Sequence, residues 1–187
     1  MKTLKAYTRL ALIAGAIIAL DQWTKSLVRQ NIPFAQQWLP DWLGWLSPYA
    51  RFVHWYNDGA AFGMFHGQGV AWVFAGLAVV VAAVIAFYYP QIESGHWWIS
   101  LAMGMQMAGA LGNLVDRLTL NGKVTDFISV GNFPVFNVAD ASITVGTAIL
   151  LLGFWLMERA EARRDREPAP AMDGDSAPET LSEDGDA

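Results

Sequence analysis

Long apolar runs alternate with short polar segments through most of the chain, and they determine its predicted architecture. Residues 70–89, 97–115 and 141–157 contain no charged side chain. A fourth run is purely apolar only over residues 10–20, and it reaches spanning length if residues 7–27 form one helix. A bilayer crossing needs about 20 mostly apolar residues. The pattern predicts an all-α membrane protein with four transmembrane helices, at about residues 7–27, 70–89, 97–118 and 140–157.

The first apolar run also resembles a secretory signal peptide, because Lys2, Lys5 and Arg9 precede it. Such a peptide ends in a small-x-small cleavage site, and none occurs before Asp21. We therefore expect an uncleaved first span.

The positive charges near the ends of the spans predict the orientation, because Lys and Arg are enriched in short cytoplasmic segments. Lys2, Lys5 and Arg9 precede the first span, and four arginines follow the last one within residues 159–166. Both termini are therefore expected in the cytoplasm, as an even number of spans requires. The segment of about residues 29–69 is then an extracytoplasmic loop.

This loop is rich in aromatic residues and predicts a small β-sheet beside the membrane. The stretch RFVHWYNDGAAFGMF, residues 51–65, has a β-rich arm, an Asn-Asp-Gly turn and a return arm, which is typical of a hairpin. Residues 124–128 and 132–136 are candidate additional strands. Trp38, Trp42 and Trp45 recur at helical spacing and predict either an interfacial helix or a helix packed on the protein.

Composition excludes several classes of protein. The chain is 54% hydrophobic and 16% charged, and it has no cysteine, which rules out disulfides and thiolate sites. The net charge of −5 comes from residues 165–187, which hold eight acidic residues and one arginine. We expect this segment to be a disordered cytoplasmic tail after a membrane domain of residues 1–164. No basic patch is interleaved with exposed aromatics, so nucleic acid is not an expected partner.

Polar residues gather at one end of the predicted bundle. Asp21 lies fourteen residues into the first span, roughly 21 Å along a helix that rises about 1.5 Å per residue. Ionisable groups at membrane depth usually face a protein interior or a cavity and partner one another. The residues at this level are Asp21, Lys25, Asn113, Asp116, Arg117, Asp126, Asn137 and Asp140.

Most charged members of this group also have a simpler interpretation when they are considered apart from the others. Asp21 and Lys25 are four residues apart and can form an ion pair at a helix end. Asp140 can be a first-turn acid that suits the helix dipole. Asp126 can be a turn residue, and Arg117 can anchor a lipid headgroup. Their common depth favours one site.

Two carboxylates that share a site cannot easily both ionise, so one of them keeps a proton. The ionised member can then activate water while the protonated one assists the leaving group, which is acid–base peptide hydrolysis. No H-E-x-x-H or G-x-S-x-G motif occurs, and His54, His66 and His96 lack zinc-site spacing. A Ser–His–Asp arrangement stays open. A proton- or ion-coupled carrier is the alternative outside the enzymes, although the polar residues lie at one face and form no path across the bilayer.

Five blocks of the sequence resemble those of lipoprotein signal peptidase, also called signal peptidase II. They are DQWTK (residues 21–25), NDGAAFG (57–63), GALGNLVDRL (109–118), VTDFI (124–128) and FNVADASITVG (136–146). Their order and spacing agree with that family from residue 21 to about residue 157. The acidic tail and the loop of residues 90–96, which has no Lys or Arg, depart from it.

The resemblance implies a four-span aspartic peptidase of the bacterial inner membrane, with its active site near the extracytoplasmic surface. Such enzymes cut the signal peptide from prolipoproteins just before a diacylglyceryl-modified cysteine, use no metal or cofactor, contact membrane lipid, and are inhibited by globomycin. Carried over by motif, Asp126 and Asp140 are the catalytic pair. The implied substrate-binding residues are Asn57, Gly109, Asn113, Arg117 and Asn137, and the implied structural residues are Asp21, Lys25 and Asp116.

Overall fold

The computed structural model describes residues 2–59, 68–92 and 96–164. Its four helices and three strands, in chain order, are α1 (Lys2–Asn31), β1 (Gln37–Trp38), β2 (Ala50–Asn57), α2 (Gln68–Ile92), α3 (Trp97–Thr119), β3 (Val124–Val130) and α4 (Val138–Arg164). Every predicted span lies inside one of these helices, so the mostly helical fold is confirmed. The expected hairpin return at residues 60–65, His66 and the acidic tail at residues 165–187 lie outside the described residues.

The chain divides into two compact units, Met1–Phe154 and Trp155–Ala187. In the second unit the described part is the last turns of α4, where the Arg159 guanidinium lies 4.2 Å from the centre of the Trp155 ring. All residues that position the site belong to the first unit.

In the part of the chain that the structure describes, three helices are long and apolar enough to cross a membrane, within Thr3–Asn31, Val70–Gln91 and Val138–Arg163. Among the described helices, α3 does not meet this criterion, although its 23 residues are long enough. Glycines, Gln106 and Asn113 lower its hydropathy. Three of the four predicted spans therefore coincide with helices that are long and apolar enough to cross a membrane, and α3 as a fourth span stays a prediction.

Small residues let α3 lie close to its neighbours. It packs against α1 and α2, and a side chain at Gly109 would overlap the Ala139 carbonyl oxygen at the start of α4. A Cβ at Gly112 would lie 2.9 Å from Oδ2 of Asp21 on α1, and one at Gly146 of α4 would lie 3.0 Å from the Ala102 carbonyl oxygen. Close backbone approach of this kind is typical of helices that pack in membranes.

The three strands form an antiparallel sheet in the order β1-β2-β3. Phe127 of β3 packs with Val28 and Ile32 of α1, so the sheet rests on the C-terminal end of that helix. The strand predicted at residues 124–128 is confirmed. The strand predicted at residues 132–136 is wrong: within it only Phe136 forms an isolated bridge, to Ile128. Pro134 interrupts that segment and has no N–H to give to a ladder.

The predicted hairpin and the predicted interfacial helix both differ in part from the structure. The β-rich arm of the predicted hairpin is β2, and its partners in the described ranges are β1 and β3. The predicted interfacial helix is a short 3₁₀ helix, Asp41–Leu46, and Trp38 lies in β1 instead. Pro40 precedes that helix with an extended ψ of 142°. Trp42 and Trp45 are both exposed in the structure, at 76% and 70%.

Candidate active site

The end of α3 and the start of β3 place Asp126. Asn121 and Gly122 have φ values of 52° and 89°, a left-handed pair that ends the helix and reverses the chain. The Gly122 N–H donates to the Arg117 carbonyl oxygen at 2.8 Å. The Thr125 N–H then donates to Oδ2 of Asp116 at 2.8 Å, which fixes β3 against α3. Asp126 therefore lies beside the last turn of α3.

The N-terminus of α4 places Asp140. Asn137 is its N-cap: Oδ1 of Asn137 accepts the Asp140 N–H at 2.9 Å, and Oδ2 of Asp140 accepts the Asn137 N–H at 3.2 Å. This reciprocal arrangement is a capping box, here with Asn and Asp. The Ala139 N–H donates to Oδ1 of Asp21 on α1 at 2.9 Å. The interpretation of Asp140 as a first-turn acid is thus correct, and it does not exclude a second role.

Three asparagine amides connect the two aspartates to one network. Nδ2 of Asn137 donates to Oδ1 of Asp126 at 2.7 Å, and Nδ2 of Asn57 donates to Oδ2 of Asp126 at 3.1 Å. Nδ2 of Asn113 donates to Oδ1 of Asp140 at 2.7 Å. Since Asn137 contacts both Asp126 and Asp140, the structure brings together two carboxyl groups that are fourteen residues apart in sequence.

The two carboxyl groups have different surroundings. Asp126 is only 1% exposed, and this burial raises its pKa to about 7, with the negative charge of Asp140 adding to the shift. The N–H groups of Asn57 and Asn137 and the charge of Lys25 oppose the shift without cancelling it. Asp140 is half-buried and lines a cavity. A carboxyl group that holds a proton near neutrality therefore lies beside one that is accessible from the cavity.

A buried ionic cluster supports this arrangement from the side of α1. The Lys25 ammonium lies 2.8 Å from Oδ2 of Asp21 and 3.4 Å from Oδ2 of Asp116, and it donates to Oδ1 of Asn113 at 2.9 Å. Nε2 of Gln22 contacts Asp21, Asp116 and the Gly112 carbonyl oxygen. The predicted Asp21–Lys25 ion pair is present, and both side chains are fully buried.

Three residues of this cluster were not predicted from the sequence to belong to the site. They are Gln22, Thr125, and Arg29, whose Nη1 donates to Oγ1 of Thr125 at 2.9 Å and lies 3.6 Å from Oδ1 of Asp116. Gln22 and Thr125 stand inside the DQWTK and VTDFI blocks, so their position next to the acidic residues was the available signal. Arg29 lies outside every block.

A cavity of about 320 Å³ lies between α2, α3 and α4, and Asp140 opens onto it. The α2 wall is apolar and includes Phe74 and Leu77, while α3 contributes Gly109, Asn113 and Arg117. The Arg117 guanidinium lies 5.4 Å from the centre of the Phe74 ring, within the range of a cation–π contact. Its Nε is buried and finds no hydrogen-bond partner among the described residues.

All ten site residues expected from the sequence lie in the described part of the chain. Asn113 and Asn137 are two of the residues implied to bind substrate. In the structure their amide groups form hydrogen bonds with the two aspartates and with each other. Gly109 both lines the cavity and lets α4 approach α3. Within the described ranges, no group of three or more His, Cys, Asp and Glu side chains is arranged to hold a metal ion.

Comparison with known proteins decides the family. The family model of signal peptidase (SPase) II matches residues 13–156. This chain belongs to the signal peptidase II family. It is thus an aspartic peptidase by family, and the matched range includes both aspartates.

Individual relatives agree with this assignment. The lipoprotein signal peptidase of Listeria monocytogenes is 37% identical over 154 residues, which is 79% of this chain and 94% of that protein. The lipoprotein signal peptidase of Shouchella clausii is 35% identical over 83% of this chain and 98% of that protein. That of Pseudomonas aeruginosa is 34% identical over 79% of this chain and 88% of that protein.

Two solved structures, each described as a bacterial membrane enzyme studied by the in meso method, share the fold. One has a TM-score of 0.71 at 24% identity and covers 86% of this chain and 94% of its own. The other has a TM-score of 0.67 at 26% identity and covers 78% and 91%. The first likeness supports the fold alone.

Proposed function

We propose that this peptidase hydrolyses the signal peptide of diacylglyceryl-modified prolipoproteins, just before the modified cysteine, with Asp126 and Asp140 as its catalytic pair. The observation that carries the proposal is the contact of Asn137 with both aspartates beside a cavity, with one carboxyl group buried and the other accessible. The substrate class comes from the relatives, which are named lipoprotein signal peptidases.

The unequal surroundings of the pair give each aspartate a role. Asp140 reaches the cavity, so it acts as the general base that takes a proton from the attacking water. Asp126 has its pKa raised to about 7, so near neutrality it holds the proton that polarises the scissile carbonyl and then passes to the leaving nitrogen. Water attacks the carbonyl carbon directly, the C–N bond breaks, and no covalent enzyme intermediate forms.

Arg117 and Asn57 are the polar groups proposed to contact substrate. Arg117 projects toward the cavity with Nε free of partners among the described residues, and a guanidinium there can donate to backbone carbonyls of an extended peptide. Asn57 donates one N–H to Asp126 and has a second N–H to offer. The apolar α2 wall, with Phe74 and Leu77, suits the hydrophobic part of a signal peptide.

The four-span topology is also a proposal, with both termini cytoplasmic and the site near the extracytoplasmic surface of the bacterial inner membrane. Support for α3 as a span comes from its position, because α1 and α2 pack against it and several of its polar side chains, among them Asn113 and Asp116, find partners in the protein. For example, Nε2 of Gln106 donates to Oγ1 of Thr147 on α4 at 2.7 Å. A helix surrounded by helices needs less hydrophobicity than one that faces lipid.

The exposed tryptophans beside the sheet suit the membrane surface. Trp42 and Trp45 project from the 3₁₀ helix, and Trp38 lies next to it on β1. Indole rings favour the headgroup region of a bilayer. We propose that this aromatic segment holds the lipid-modified end of the substrate at the depth of the aspartates. Unchanged turnover and membrane affinity after all three are replaced by alanine would contradict this role.

The test of the substrate class is cleavage of a purified prolipoprotein with and without its diacylglyceryl group. We expect a new N-terminus at the modified cysteine, seen by mass spectrometry, and strong inhibition by globomycin. Equal cleavage of the unmodified substrate would contradict the proposed lipid requirement. Cleavage at another bond would contradict the proposed site of hydrolysis.

A further inference from the structure

Lys25 makes three contacts inside the protein and is fully buried. Its ammonium nitrogen lies against Oδ2 of Asp21, Oδ2 of Asp116 and Oδ1 of Asn113. An ammonium group has three donors and no acceptor. The atom that Asn113 presents to Lys25 must therefore be its carbonyl oxygen.

This contact fixes the direction of the Asn113 amide. Oδ1 of Asn113 accepts from Lys25 at 2.9 Å and from Nδ2 of Asn137 at 3.1 Å. The amide nitrogen consequently points to Oδ1 of Asp140, at 2.7 Å. The reversed amide would place an NH₂ group against an ammonium and a second NH₂ group, and a carbonyl oxygen against a carboxylate. All three contacts would then be repulsive.

The other two asparagines of the site are fixed by the main chain. Oδ1 of Asn57 accepts the Gly59 N–H at 2.9 Å, and Oδ1 of Asn137 accepts the Asp140 N–H at 2.9 Å. A backbone N–H is also a donor only, so each amide nitrogen is directed to Asp126. For Asn57 and Asn137, a backbone N–H fixes the orientation of the amide. For Asn113, the charged side chain that fixes it, among the described residues, is Lys25.

We propose that Lys25 is a positioning residue for the hydrolysis itself, and that it acts by directing the N–H of Asn113 to Asp140 so that this aspartate works as the ionised base. The inference rests on the proposed function of the two aspartates. It gives Lys25 a role in chemistry in addition to the support of the fold, and it assigns Asn113 to the aspartates instead of to the substrate.

The charged groups around this contact come from four elements. Asp21 and Lys25 belong to α1, Asp116 and Arg117 belong to α3, Asp126 belongs to β3, and Asp140 itself belongs to α4. The α2 residues that line the same cavity are Phe74, Leu77, Ala78 and Val81, which carry no charge. A change in the pH profile after substitution at position 113 can thus be traced to a defined set of groups.

The decisive variant is Asn113→Asp, which has the same shape. Its Oδ1 can still accept from both Lys25 and Asn137, as Oδ1 of Asn113 does, so these two contacts would be preserved. The N–H to Asp140 is replaced by a carboxylate oxygen, which repels an ionised Asp140. For scale, removal of one donor from an oxyanion hole costs about 10²–10³ in kcat. We expect a folded protein with a loss of at least about a hundredfold in kcat near neutral pH and a KM within about threefold of the wild type.

The pH profile distinguishes this account from a structural one. Protonation of the new carboxyl group restores a donor toward Asp140, so the residual activity of Asn113→Asp is expected to rise toward acidic pH while that of the wild type does not. A loss of turnover that is equal at every pH, or no loss at all, would overturn the proposal. Failure of Asn113→Asp to fold would also overturn it, because the contact would then serve the fold.

A second pair of variants tests Lys25 directly. Lys25→Met removes the donors, and combining it with Asp21→Asn avoids leaving that carboxylate unpaired. Lys25→Arg keeps a group that only donates. We expect kcat to fall without a change in KM in the double variant and to be largely retained in Lys25→Arg. Equal turnover in the two would overturn the role of Lys25. Activity in Asp126→Asn and Asp140→Asn would contradict the proposed function of the two aspartates. That result is distinct from one that contradicts only the role of Lys25.

Discussion

The raised pKa of Asp126 makes the stability of the protein depend on pH in a way that one substitution should remove. In the unfolded chain an aspartate loses its proton near its ordinary value of 3.8, whereas in the folded protein Asp126 keeps it until about pH 7. The folded state therefore binds more protons between these values, and its stability falls as pH rises through this window. The loss is complete by about pH 8, one unit above this pKa.

The size of the effect follows from the shift. A difference of about 3 pKa units corresponds to about 4 kcal/mol, at 1.36 kcal/mol per unit. Roughly half of this has accumulated by about pH 5.5, so about 2 kcal/mol remains to be lost between there and about pH 8. For a protein of this length, that corresponds to roughly 4–8 °C in Tm.

The assay compares thermal unfolding of the wild type and Asp126→Asn across this pH range in one detergent. The variant cannot ionise at position 126, so we expect its Tm to rise relative to the wild type as pH increases from about 5.5 to 8, by the amount above. The new amide also faces the donors of Asn57 and Asn137, and that cost is independent of pH. The pH dependence of the difference is therefore the quantity to measure.

The control is Asp41→Asn, which changes an exposed aspartate on the 3₁₀ helix. It should follow the wild-type curve at every pH. If the difference in Tm between Asp126→Asn and the wild type stays constant across the pH range, the raised pKa of Asp126 is contradicted. Asp126 would then ionise as an ordinary aspartate does.

The remaining predictions concern packing, substrate contact and support. Gly109→Ala should destabilise the protein by about 1–3 kcal/mol, measured by Tm, because its side chain would overlap the Ala139 carbonyl and force α3 away from α4. Gly15→Ala is the matched control, since nothing lies within 4 Å of the added carbon, and an unchanged Tm in Gly109→Ala would contradict the close packing. Arg117→Ala should raise KM more than it lowers kcat in steady-state cleavage, and unchanged kinetics would reduce it to a headgroup anchor. Asp21→Asn should lower Tm while the folded fraction keeps substantial activity, so a stable but inactive variant would count against its supporting role.

The helices of this protein could be predicted from the sequence because lipid imposes a simple rule on composition. Runs without charge at residues 70–89 and 141–157 had to be helical if they cross a bilayer, since backbone groups there need internal partners. The helix ends were less predictable. They depend on caps such as Asn137 and on the left-handed turn at Asn121, which hydropathy does not report.

The sheet was harder to predict because its pairing is not local. The Asn-Asp-Gly signal after β2 suggested a hairpin, yet β2 pairs with β3, about 70 residues away. Residues 132–136 were expected to be a strand, and only Phe136 makes a bridge. Sequence shows the tendency of a segment to be extended, but not which partner it finds.

The residues of the candidate site were named from the sequence, and their roles stay predictions, whereas the contacts between them could not be predicted. Asp126 and Asp140 stood out because carboxyl groups among apolar residues are costly. Asn113 and Asn137 form hydrogen bonds of about 3 Å with these aspartates and with each other. These contacts join residues on different elements, and no sequence motif predicts them. Arg29, which lies outside every block, was missed for the same reason.

The measurement that tests the central claim most directly is the initial rate of cleavage of a diacylglyceryl-modified prolipoprotein by four purified proteins. They are the wild type, Asp126→Asn, Asp140→Asn and the control Asp41→Asn, each shown to be folded by its melting curve. We predict product from the wild type and the control, and none above background from Asp126→Asn or Asp140→Asn. Turnover near the wild-type rate in a folded Asp126→Asn or Asp140→Asn protein would contradict it.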